Sequence, residues 1–440
     1  IVPFTDYDTD TSVNSGTKNY LFTSSLTRTA SLYFATITAD SSDNAMTVDI
    51  GGGRFYVPND YGCAILARGT HDVTFRTTCE EGAHIAWFHN YLTNNAALKL
   101  DLQFGTTNTW FADGSGTLTF SGPGLTIVTK AGLGTQPTLA EGVLRTTLAQ
   151  TLAPTSYLTL TAGGILEIGA DLNGIAAGDF SLTCGVASAG VFLRSGAGFS
   201  AYGADRTVNL GGAGATLSWG TNGFLNNVSG EDHGFVFKLS SPYATARVDF
   251  QNPIALNACN SPYGFRRTVE VANGSSAIDA QLSGALYGDS ELVKTGAGTL
   301  KVSAAQNYSA LRVKAGGFIA ANGCFAASNA IPVTLASATL GGTAGGSNVF
   351  GTLTLTGNCV LDVADGTAAM SFADCSQADW GTSTLTIRGK LADNKLRFGT
   401  SGAGLTAAQV ASITAPGTSV KMMSDGYVRL MPKGTLMRIQ

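Results

Sequence analysis

Hydrophobic and polar residues alternate along short stretches of this chain, and each stretch ends at glycine. From Leu300 the residues read Leu-Lys-Val-Ser-Ala, and from Leu311 they read Leu-Arg-Val-Lys before the pair Gly316 and Gly317. Successive strand residues point to opposite faces, so a period of two predicts half-buried β-strands. One such unit buries too little surface to be stable alone, so the pattern has to recur.

The unit of a short strand and a glycine-rich corner does recur. It is found again at residues 114–132, 163–172, 211–225, 350–363 and 381–391. Tight corners need a positive φ, which glycine adopts without steric cost. Short strands can also form a sandwich, but near-copies of one unit favour an all-β solenoid in which coils of about 20 residues stack on each other.

The amino-acid composition further limits the structural and functional classes to which the protein can belong. Glycine accounts for 56 of 440 residues and charged residues for only 13%, yet 44% of the chain is hydrophobic, which favours a folded protein over a disordered linker. The net charge of −4, without a basic stripe interleaved with aromatic residues, argues against nucleic-acid binding. No apolar run is long enough for a transmembrane helix. The first residue, Ile1, fits a mature exported protein.

The seven cysteines contain no C-x-x-C pair and so do not indicate a zinc ribbon. Cys63 and Cys79 have the same spacing in the sequence as Cys359 and Cys375, which is close to the length of one short coil. If a coil had this length, stacking would bring each pair within disulfide range. The alternative is that the cysteines are buried free thiols.

Residues 292–317, LVKTGAGTLKVSAAQNYSALRVKAGG, carry the clearest resemblance to a known family. They resemble the autotransporter-associated β-strand repeat, with Lys-Thr-Gly-x-Gly-Thr-Leu, an alternating strand, Asn-Tyr, a second strand and a glycine corner. Residues 199–225 and 248–256 are similar to segments that accompany these repeats, and 396–413 resembles the segment that closes such regions. The resemblance implies a right-handed parallel β-helix outside a Gram-negative-type cell. The chain departs from the autotransporter pattern because its C-terminus lacks barrel-like strands.

Three regions are expected along the chain. Residues 1–100 are less repetitive and are expected to form an atypical N-terminal cap region or the first coils. Residues 101–395 are expected to form the glycine-rich solenoid, and residues 396–440 a closing segment. Within the last region, Thr406 followed by Gln409 has the spacing of a capping box, which predicts one short helix at residues 406–413.

The densest set of metal-ligand residue types is in CEEGAHIAWFHNY. It contains Cys79, Glu80, Glu81, His84 and His89. The two histidines have the spacing i, i+5 and would lie on opposite faces of a strand, so no zinc site is assigned.

A second group, Glu231, Asp232 and His233, is interpreted as a solvated turn. Nucleotide-binding and calcium-binding repeats are absent, since the glycine pairs introduce strands and not helices. We therefore predict no catalytic residue, no metal and no cofactor.

These features favour a non-enzymatic extracellular structural protein, a subunit of a cell-surface fibre or coat with adhesion as a further role. The alternative is a carbohydrate-active enzyme, a polysaccharide lyase or hydrolase, because such enzymes also use β-helices. The expected partners are further copies of the chain, joined head to tail, and cell-surface or matrix glycans. Neither nucleic acid nor a membrane span is expected.

The two ends of the chain carry opposite charge. Residues 1–60 hold seven acids and three bases, whereas residues 381–440 hold two acids and eight bases. Attraction between unlike ends can orient a head-to-tail filament. The alternative is that each tail folds back as a cap. The candidate assembly contacts are Val2, Phe4, Asp6, Asp8, Arg429, Lys433 and Arg438.

Overall fold

The computed structural model of the chain describes most of its residues. These are residues 7–8, 18–56, 64–78, 87–102, 118–129, 137–146, 158–169, 183–185, 190–194, 196–212, 214–226, 236–256 and 266–432. Almost all regular structure among them is β-strand, which confirms the predicted all-β class.

The strands are short, as the alternating runs predict. The first half contains β1 (Asn19–Phe22), β2 (Leu26–Thr27), β3 (Leu32–Tyr33), β4 (Thr36–Ser41), β5 (Met46–Asp49), β6 (Phe55–Tyr56), β7 (Ala64–Gly69), β8 (Val73–Arg76), β9 (Trp87–Leu92), β10 (Ala97–Asp101), β11 (Thr119–Ser121), β12 (Leu125–Val128), β13 (Thr138–Leu139), β14 (Val143–Thr146), β15 (Leu158–Leu160), β16 (Ile165–Ile168), β17 (Thr183–Cys184), β18 (Gly190–Arg194), β19 (Gly198–Ala201), β20 (Arg206–Val208), β21 (Leu217–Ser218) and β22 (Phe224–Asn226). The second half contains β23 (Val236–Leu239), β24 (Val248–Phe250), β25 (Ile254–Ala255), β26 (Arg266–Val271), β27 (Ala280–Leu282), β28 (Leu286–Tyr287), β29 (Glu291–Thr295), β30 (Thr299–Val302), β31 (Gln306–Asn307), β32 (Ala310–Val313), β33 (Gly317–Ala320), β34 (Val333–Leu335), β35 (Thr339–Gly342), β36 (Ser347–Val349), β37 (Leu353–Leu355), β38 (Cys359–Asp362), β39 (Ala369–Phe372), β40 (Leu385–Arg388), β41 (Leu396–Phe398), β42 (Ile413–Thr414), β43 (Thr418–Met422) and β44 (Val428–Pro432).

Helical structure among the described residues is limited to short segments. These are one α-helix, α1 (Ala407–Ser412), and the 3₁₀ turns Ala327–Asn329 and Ala364–Gly366.

The chain divides into two compact units. Unit 1 comprises Ile1–Gly212, Gly220–Glu231 and Phe237–Val248, and unit 2 comprises Ala213–Trp219, Asp232–Val236 and Asp249–Gln440.

Unit 1 is built on two long parallel sheets, and it also contains the short parallel pair β3–β6. One has ten strands, in the order β1-β4-β7-β9-β11-β13-β15-β18-β17, with β22 also paired to β18. In the other, β2, β5, β8, β10, β12, β14, β16 and β19 stack in that order. Neighbouring strands are a full coil apart in the sequence: Asn19 pairs with Thr36, and Thr36 in turn pairs with Ala64. A chain that returns repeatedly to pair in parallel with its previous coil is a parallel β-helix.

Identical register in successive coils stacks the inward side chains of unit 1 into ladders. One ladder of buried side chains is formed by Ile37, Ile65, Phe88, Phe120, Leu139, Leu160 and Leu193. Because strands of a sheet lie about 4.8 Å apart, each side chain packs on its counterparts one coil before and one coil after. The core is therefore a column that grows coil by coil.

Unit 2 has the same construction, with its parallel strands distributed over four sheets. Its parallel sheets contain the runs β26-β29-β32-β34-β37, β27-β30-β33-β35-β38-β40-β42, β21-β25-β28-β31 and β36-β39-β41. The rings of Phe325, Phe350, Phe372 and Phe398 follow one another from coil to coil with centroids 4.6, 5.2 and 5.1 Å apart; the first pair is tilted and the other two are stacked. These distances are those expected between stacked coils.

The Lys-Thr-Gly-x-Gly-Thr motif forms an internally bonded corner of unit 2. Buried Lys294 points into the corner, where its Nζ donates to the carbonyl oxygens of Gly296 at 2.6 Å, Gly298 at 2.5 Å and Ala315, on the next coil, at 3.0 Å. Burial lowers the pKa of Lys294 to about 8, and the nearby carboxylate of Asp279 opposes this shift. The motif lysine thus links consecutive corners, because its three donors meet three carbonyl groups.

The predicted closing helix is confirmed. Thr406 accepts a hydrogen bond from the Gln409 amide, and the Gln409 side chain bonds back to the Thr406 amide. The Gln409 side chain also donates to the carbonyl oxygens of Cys375 at 2.8 Å and Ala378 at 2.9 Å. Helix α1 and the antiparallel hairpin β43–β44 pack on β42 and β41. The described C-terminal residues therefore cover the last coil of unit 2.

Of the two alternatives left open for Cys359 and Cys375, a disulfide or free thiols, the structure shows free thiols. Both are buried free thiols, as are Cys324 and the half-buried Cys184 among the described residues. Cys359 pairs in register with Leu385, which lies beyond Cys375 in the sequence, so the spacing of the two cysteines is too short to complete a coil there. Cys63, Cys79 and Cys259 lie outside the described residues.

The proposed regional boundaries stay predictions. Strands β9 and β10, which belong to the first hundred residues, pair in parallel with β11 and β12, so that region contributes strands to the same two sheets of unit 1. Whether residues before β1 form a cap stays a prediction.

Candidate functional site

A row of aromatic side chains lies on the outer face of β9 in unit 1. Phe88 and Leu92 of this strand point inward and are buried, whereas Trp87 and Tyr91 point outward and are 43% and 42% exposed. His89 lies between them on the same face, because alternate strand residues share a face. We call the outward residues Trp87, His89 and Tyr91, with Arg68 and Asp40 beside them, the aromatic face.

The central residue of this row is held by its neighbours. The rings of Trp87 and His89 stack with centroids 6.2 Å apart and planes 17° from parallel. His89 Nδ1 forms a 2.6 Å hydrogen bond with the hydroxyl of Ser121, its partner in β11. Partial burial lowers the pKa of His89 below its usual value of 6.5. The imidazole is therefore neutral at pH 7.

An ion pair borders the row next to Tyr91. Arg68, the register partner of Tyr91 in β7, binds Asp40 Oδ2 through Nη2 at 2.8 Å and Nε at 2.9 Å. Burial alone would raise the pKa of Asp40, but hydrogen bonds from Ser42 and the charge of Arg68 outweigh it and lower that pKa. The carboxylate is therefore ionised at neutral pH and cancels the charge of Arg68.

Unit 1 also contains a buried polar cluster that the sequence did not indicate. Glu167 is fully buried; it binds Arg145 Nε at 2.5 Å and accepts hydrogen bonds from Ser200 at 3.0 Å and Ser241 at 2.6 Å. The Arg145 guanidinium stacks over Tyr202, 3.4 Å from the ring centroid. Ser241 is distant from Glu167 in the sequence. This cluster fastens the segment after β23 to the outer face of a sheet and has no exposed carboxylate to offer a substrate.

Charged side chains on the outer faces of the sheets pair from coil to coil. In unit 2, Glu291 binds Arg266 of the preceding strand at 2.9 Å and Arg312 of the following strand at 2.8 Å. In unit 1, Arg76 binds Asp101 at 3.0 Å and approaches Asp49 at 3.8 Å. In each set the central group is shared between two partners of opposite charge on neighbouring coils.

A concave pocket of about 490 Å³ lies between α1 and the hairpin β43–β44 in unit 2. It is lined by Gly402, Leu405, Ala407, Val410, Ala411, Ile413, Val420 and Met422. None of these side chains ionises, so the pocket supplies no acid, base or nucleophile.

The residues singled out in the sequence have different outcomes. His89 belongs to the aromatic face, whereas Cys79, Glu80, Glu81, His84 and the group Glu231, Asp232, His233 lie outside the described residues. No cluster of metal-ligating side chains occurs within the ranges that the structure describes. The aromatic face itself was missed, although the alternation Trp87, His89, Tyr91 within WFHNYL signals it.

Two of the candidate assembly residues are described. Asp8 forms a bridge with Tyr20 and an ion pair with Lys18 at 3.3 Å, and Arg429 approaches Asp393 at 3.6 Å. Val2, Phe4, Asp6, Lys433 and Arg438 lie outside the described residues. The proposed contacts stay predictions.

No protein family, curated protein or solved structure matches the chain significantly. In the part of the chain that is described, no helix is long and apolar enough to span a bilayer.

Proposed function

We propose that this chain is an extracellular structural protein of a Gram-negative-type bacterium, a β-solenoid subunit of a cell-surface fibre or coat with an adhesive surface. The observation that supports this proposal is the pairing of charge from coil to coil, as in Arg266–Glu291–Arg312. Charged groups held in ion pairs along a stack stabilise a scaffold and leave little for acid–base chemistry. The resemblance of residues 292–317 to autotransporter-associated repeats favours the extracellular location.

The proposal also holds that the chain is not an enzyme. A glycoside hydrolase commonly needs two carboxylates flanking the scissile bond, one of them protonated. Strands β4, β7, β9 and β11 bring one carboxylate to the aromatic face, that of Asp40, and its lowered pKa leaves it ionised. An ionised carboxylate paired with arginine is a poor general acid.

The test is incubation of the purified chain with polysaccharides, including pectin-like and sulfated glycans, followed by measurement of released reducing ends and unsaturated products. We expect no release above that of a heat-denatured sample. Release that grows with protein concentration would overturn the structural proposal in favour of a lyase or hydrolase.

Assembly is the second part of the proposal. We propose that copies join head to tail through their oppositely charged ends, which include Asp8 and Arg429. Sedimentation and negative-stain microscopy at low and high salt should show polymers that shorten as salt screens the charges. Deletion of residues 1–10 should abolish them. A chain that is monomeric at every concentration, or polymers that survive the deletion, would contradict this joint.

A further inference from the structure

We propose that the aromatic face binds an uncharged polysaccharide, an inference that rests on the non-catalytic surface role proposed above and names its ligand. The face is the outward row Trp87, His89 and Tyr91 of β9 with the adjacent pair Arg68 and Asp40. Its arrangement, its polar groups and its charge each support this class of ligand.

The exposed rings are concentrated on one strand. Among the described residues the large hydrophobic side chains that are most exposed are Trp87, Tyr91, Tyr287 and Met431, and the first two share one face of β9. A strand rises about 3.3 Å per residue, which separates Trp87 from Tyr91 by about 13 Å and places His89 between them. Exposed apolar rings in a row are unusual on a protein surface and mark an interaction site. The span suits an oligosaccharide segment better than a single ring.

Aromatic faces and pyranose rings are complementary. A pyranose with equatorial hydroxyls exposes C–H groups on its two flat faces, and these carry a small positive charge. The face of an aromatic ring is the negative part of its quadrupole, so the two surfaces attract each other while both lose water. Tryptophan and tyrosine lose little side-chain entropy on binding, because they have only two rotatable χ angles.

The polar groups beside the rings match sugar hydroxyls. The side chain of Arg68 is 47% exposed, so its guanidinium is accessible as a donor at the edge of the row. Asp40 holds this guanidinium in place, because its Oδ2 binds Arg68 while its Oδ1 accepts from the amide and the hydroxyl of Ser42. A sugar hydroxyl can accept from the charged guanidinium, which gives the stronger class of hydrogen bond.

The charge of the face selects an uncharged ligand. Arg68 and Asp40 cancel each other at 2.8 Å, and burial lowers the pKa of His89 so that the ring is neutral at pH 7. An acidic polysaccharide or a nucleic acid would find no net positive charge here to replace its counterions.

The test is affinity electrophoresis of the full chain through gels that contain hydroxyethylcellulose, xylan or laminarin. Polygalacturonate and dextran sulfate serve as the charged counterparts. We expect retardation by at least one uncharged polymer that high salt does not remove. Trp87→Ala and Tyr91→Ala should each weaken binding by at least about tenfold, the effect typical of an exposed aromatic anchor.

Tyr287→Ala is the matched control, because Tyr287 is 38% exposed but belongs to β28 of unit 2 and not to the aromatic face. It should bind as the wild type does. Circular dichroism and thermal unfolding of every variant verify that the fold is retained. If Trp87→Ala destabilises the chain, Tyr91→Ala and the fluorescence experiment below decide the question.

Fluorescence gives a second readout. Trp219 and Trp380 are 2% and 3% exposed, so the difference between wild type and Trp87→Phe isolates an accessible tryptophan. The uncharged polymer should protect that difference signal from acrylamide quenching. Absence of binding to all uncharged polymers, binding only to charged ones, or equal loss in Tyr287→Ala would each overturn the inference.

Failure of this inference is distinguishable from failure of the proposed function. If the chain neither binds nor degrades glycans, only the proposed ligand of the aromatic face is refuted. A chain that binds through Trp87 and also degrades the polymer keeps the ligand but is an enzyme, which refutes the structural role.

Discussion

Replacing Lys294 by methionine should loosen the coils around the Lys-Thr-Gly-x-Gly-Thr corner. Methionine keeps an unbranched apolar stem but removes the three donors that reach the carbonyl oxygens of Gly296, Gly298 and Ala315. The Gly298 carbonyl keeps the Gly317 amide as a donor at 3.3 Å, but the carbonyl groups of Gly296 and Ala315 lose theirs, at a cost of about 1–3 kcal/mol each. Methionine also removes the cost of burying an ammonium group, which is several kcal/mol. The two terms largely offset each other, and we expect a net loss of about 1–2 kcal/mol.

The loss should be local, because each coil of a solenoid contacts mainly its neighbours. Native-state hydrogen exchange is therefore the primary assay. The amides of Gly298, bonded to Val271 at 2.9 Å, and of Lys314, bonded to the Lys294 carbonyl at 2.8 Å, should lose protection. The control is Lys314→Met, which makes the same change at an exposed side chain one coil further on. Equal protection in the two variants would refute the argument that the buried ammonium ties the corners.

The lowered pKa of Lys294 predicts in which direction the free energy of unfolding changes with pH. The folded value of about 8 lies below the value of about 10.4 for lysine in an unfolded chain. Between these values the unfolded chain binds a proton that the folded chain lacks, so the free energy of unfolding rises with pH, by up to about 1.4 kcal/mol per unit. Relative to Lys294→Met, the wild type should gain about 3 kcal/mol from pH 8 to pH 10.4. Urea unfolding of both proteins at pH 8 and pH 10.4 measures this gain. If the difference in unfolding free energy between them were the same at both pH values, the pKa of Lys294 would not be lowered.

Three further substitutions test the packing of the coils. Gly296→Ala should destabilise unit 2 by at least about 2 kcal/mol more than the control Gly345→Ala. Both glycines have positive φ, but only an alanine at position 296 would place its Cβ 2.2 Å from a carbonyl oxygen of the preceding coil. Equal urea midpoints for the two variants would contradict this. Glu167→Gln should cost unit 1 about 3–5 kcal/mol because it leaves a buried arginine unpaired, whereas the exposed control Glu141→Gln should cost less than about 0.5 kcal/mol, as measured by chemical denaturation. Gln409→Ala should cost about 1–3 kcal/mol and raise amide exchange in α1, because it removes half of the capping box and the donor to two carbonyl groups. Unchanged amide exchange would mean that the capping box does not stabilise α1.

Local patterns in the sequence predicted local structure well. The alternating runs that begin at Leu300 and Leu311 are β30 and β32, and the glycine corner after them has Gly316 at φ +65°. The capping-box spacing of Thr406 and Gln409 placed α1 within one residue at each end. These features depend on residues that are close together in the sequence, so the sequence alone predicts them. One local interpretation was incomplete, because the polar stretch between the two runs contains the short strand β31.

The sequence could not predict which residues contact each other in neighbouring coils, because these contacts depend on the length of each coil. The expected coil of about 20 residues is met where Leu292 pairs with Leu311, but the chain between the paired residues Gly198 and Lys238 is about twice as long. An error of a few residues moves a side chain to another face. For this reason the spacing of Cys359 and Cys375 alone could not decide between a disulfide and the free thiols that the structure shows.

The outer face of β9 differs from its neighbours in a way that folding does not require. The inward residues of this strand continue the buried ladder, as Phe88 does by packing on Phe120 with centroids 5.5 Å apart. The outward positions have no such constraint, and the register partners of Trp87 on both sides are the small residues Ala64 and Thr119. A parallel coil therefore folds with small side chains at these positions, and exposed rings there add apolar surface in contact with water without adding to the core. In a solenoid, where the core dictates every second residue, the outward rows are the positions free to carry function, and on β9 that row holds a tryptophan and a tyrosine.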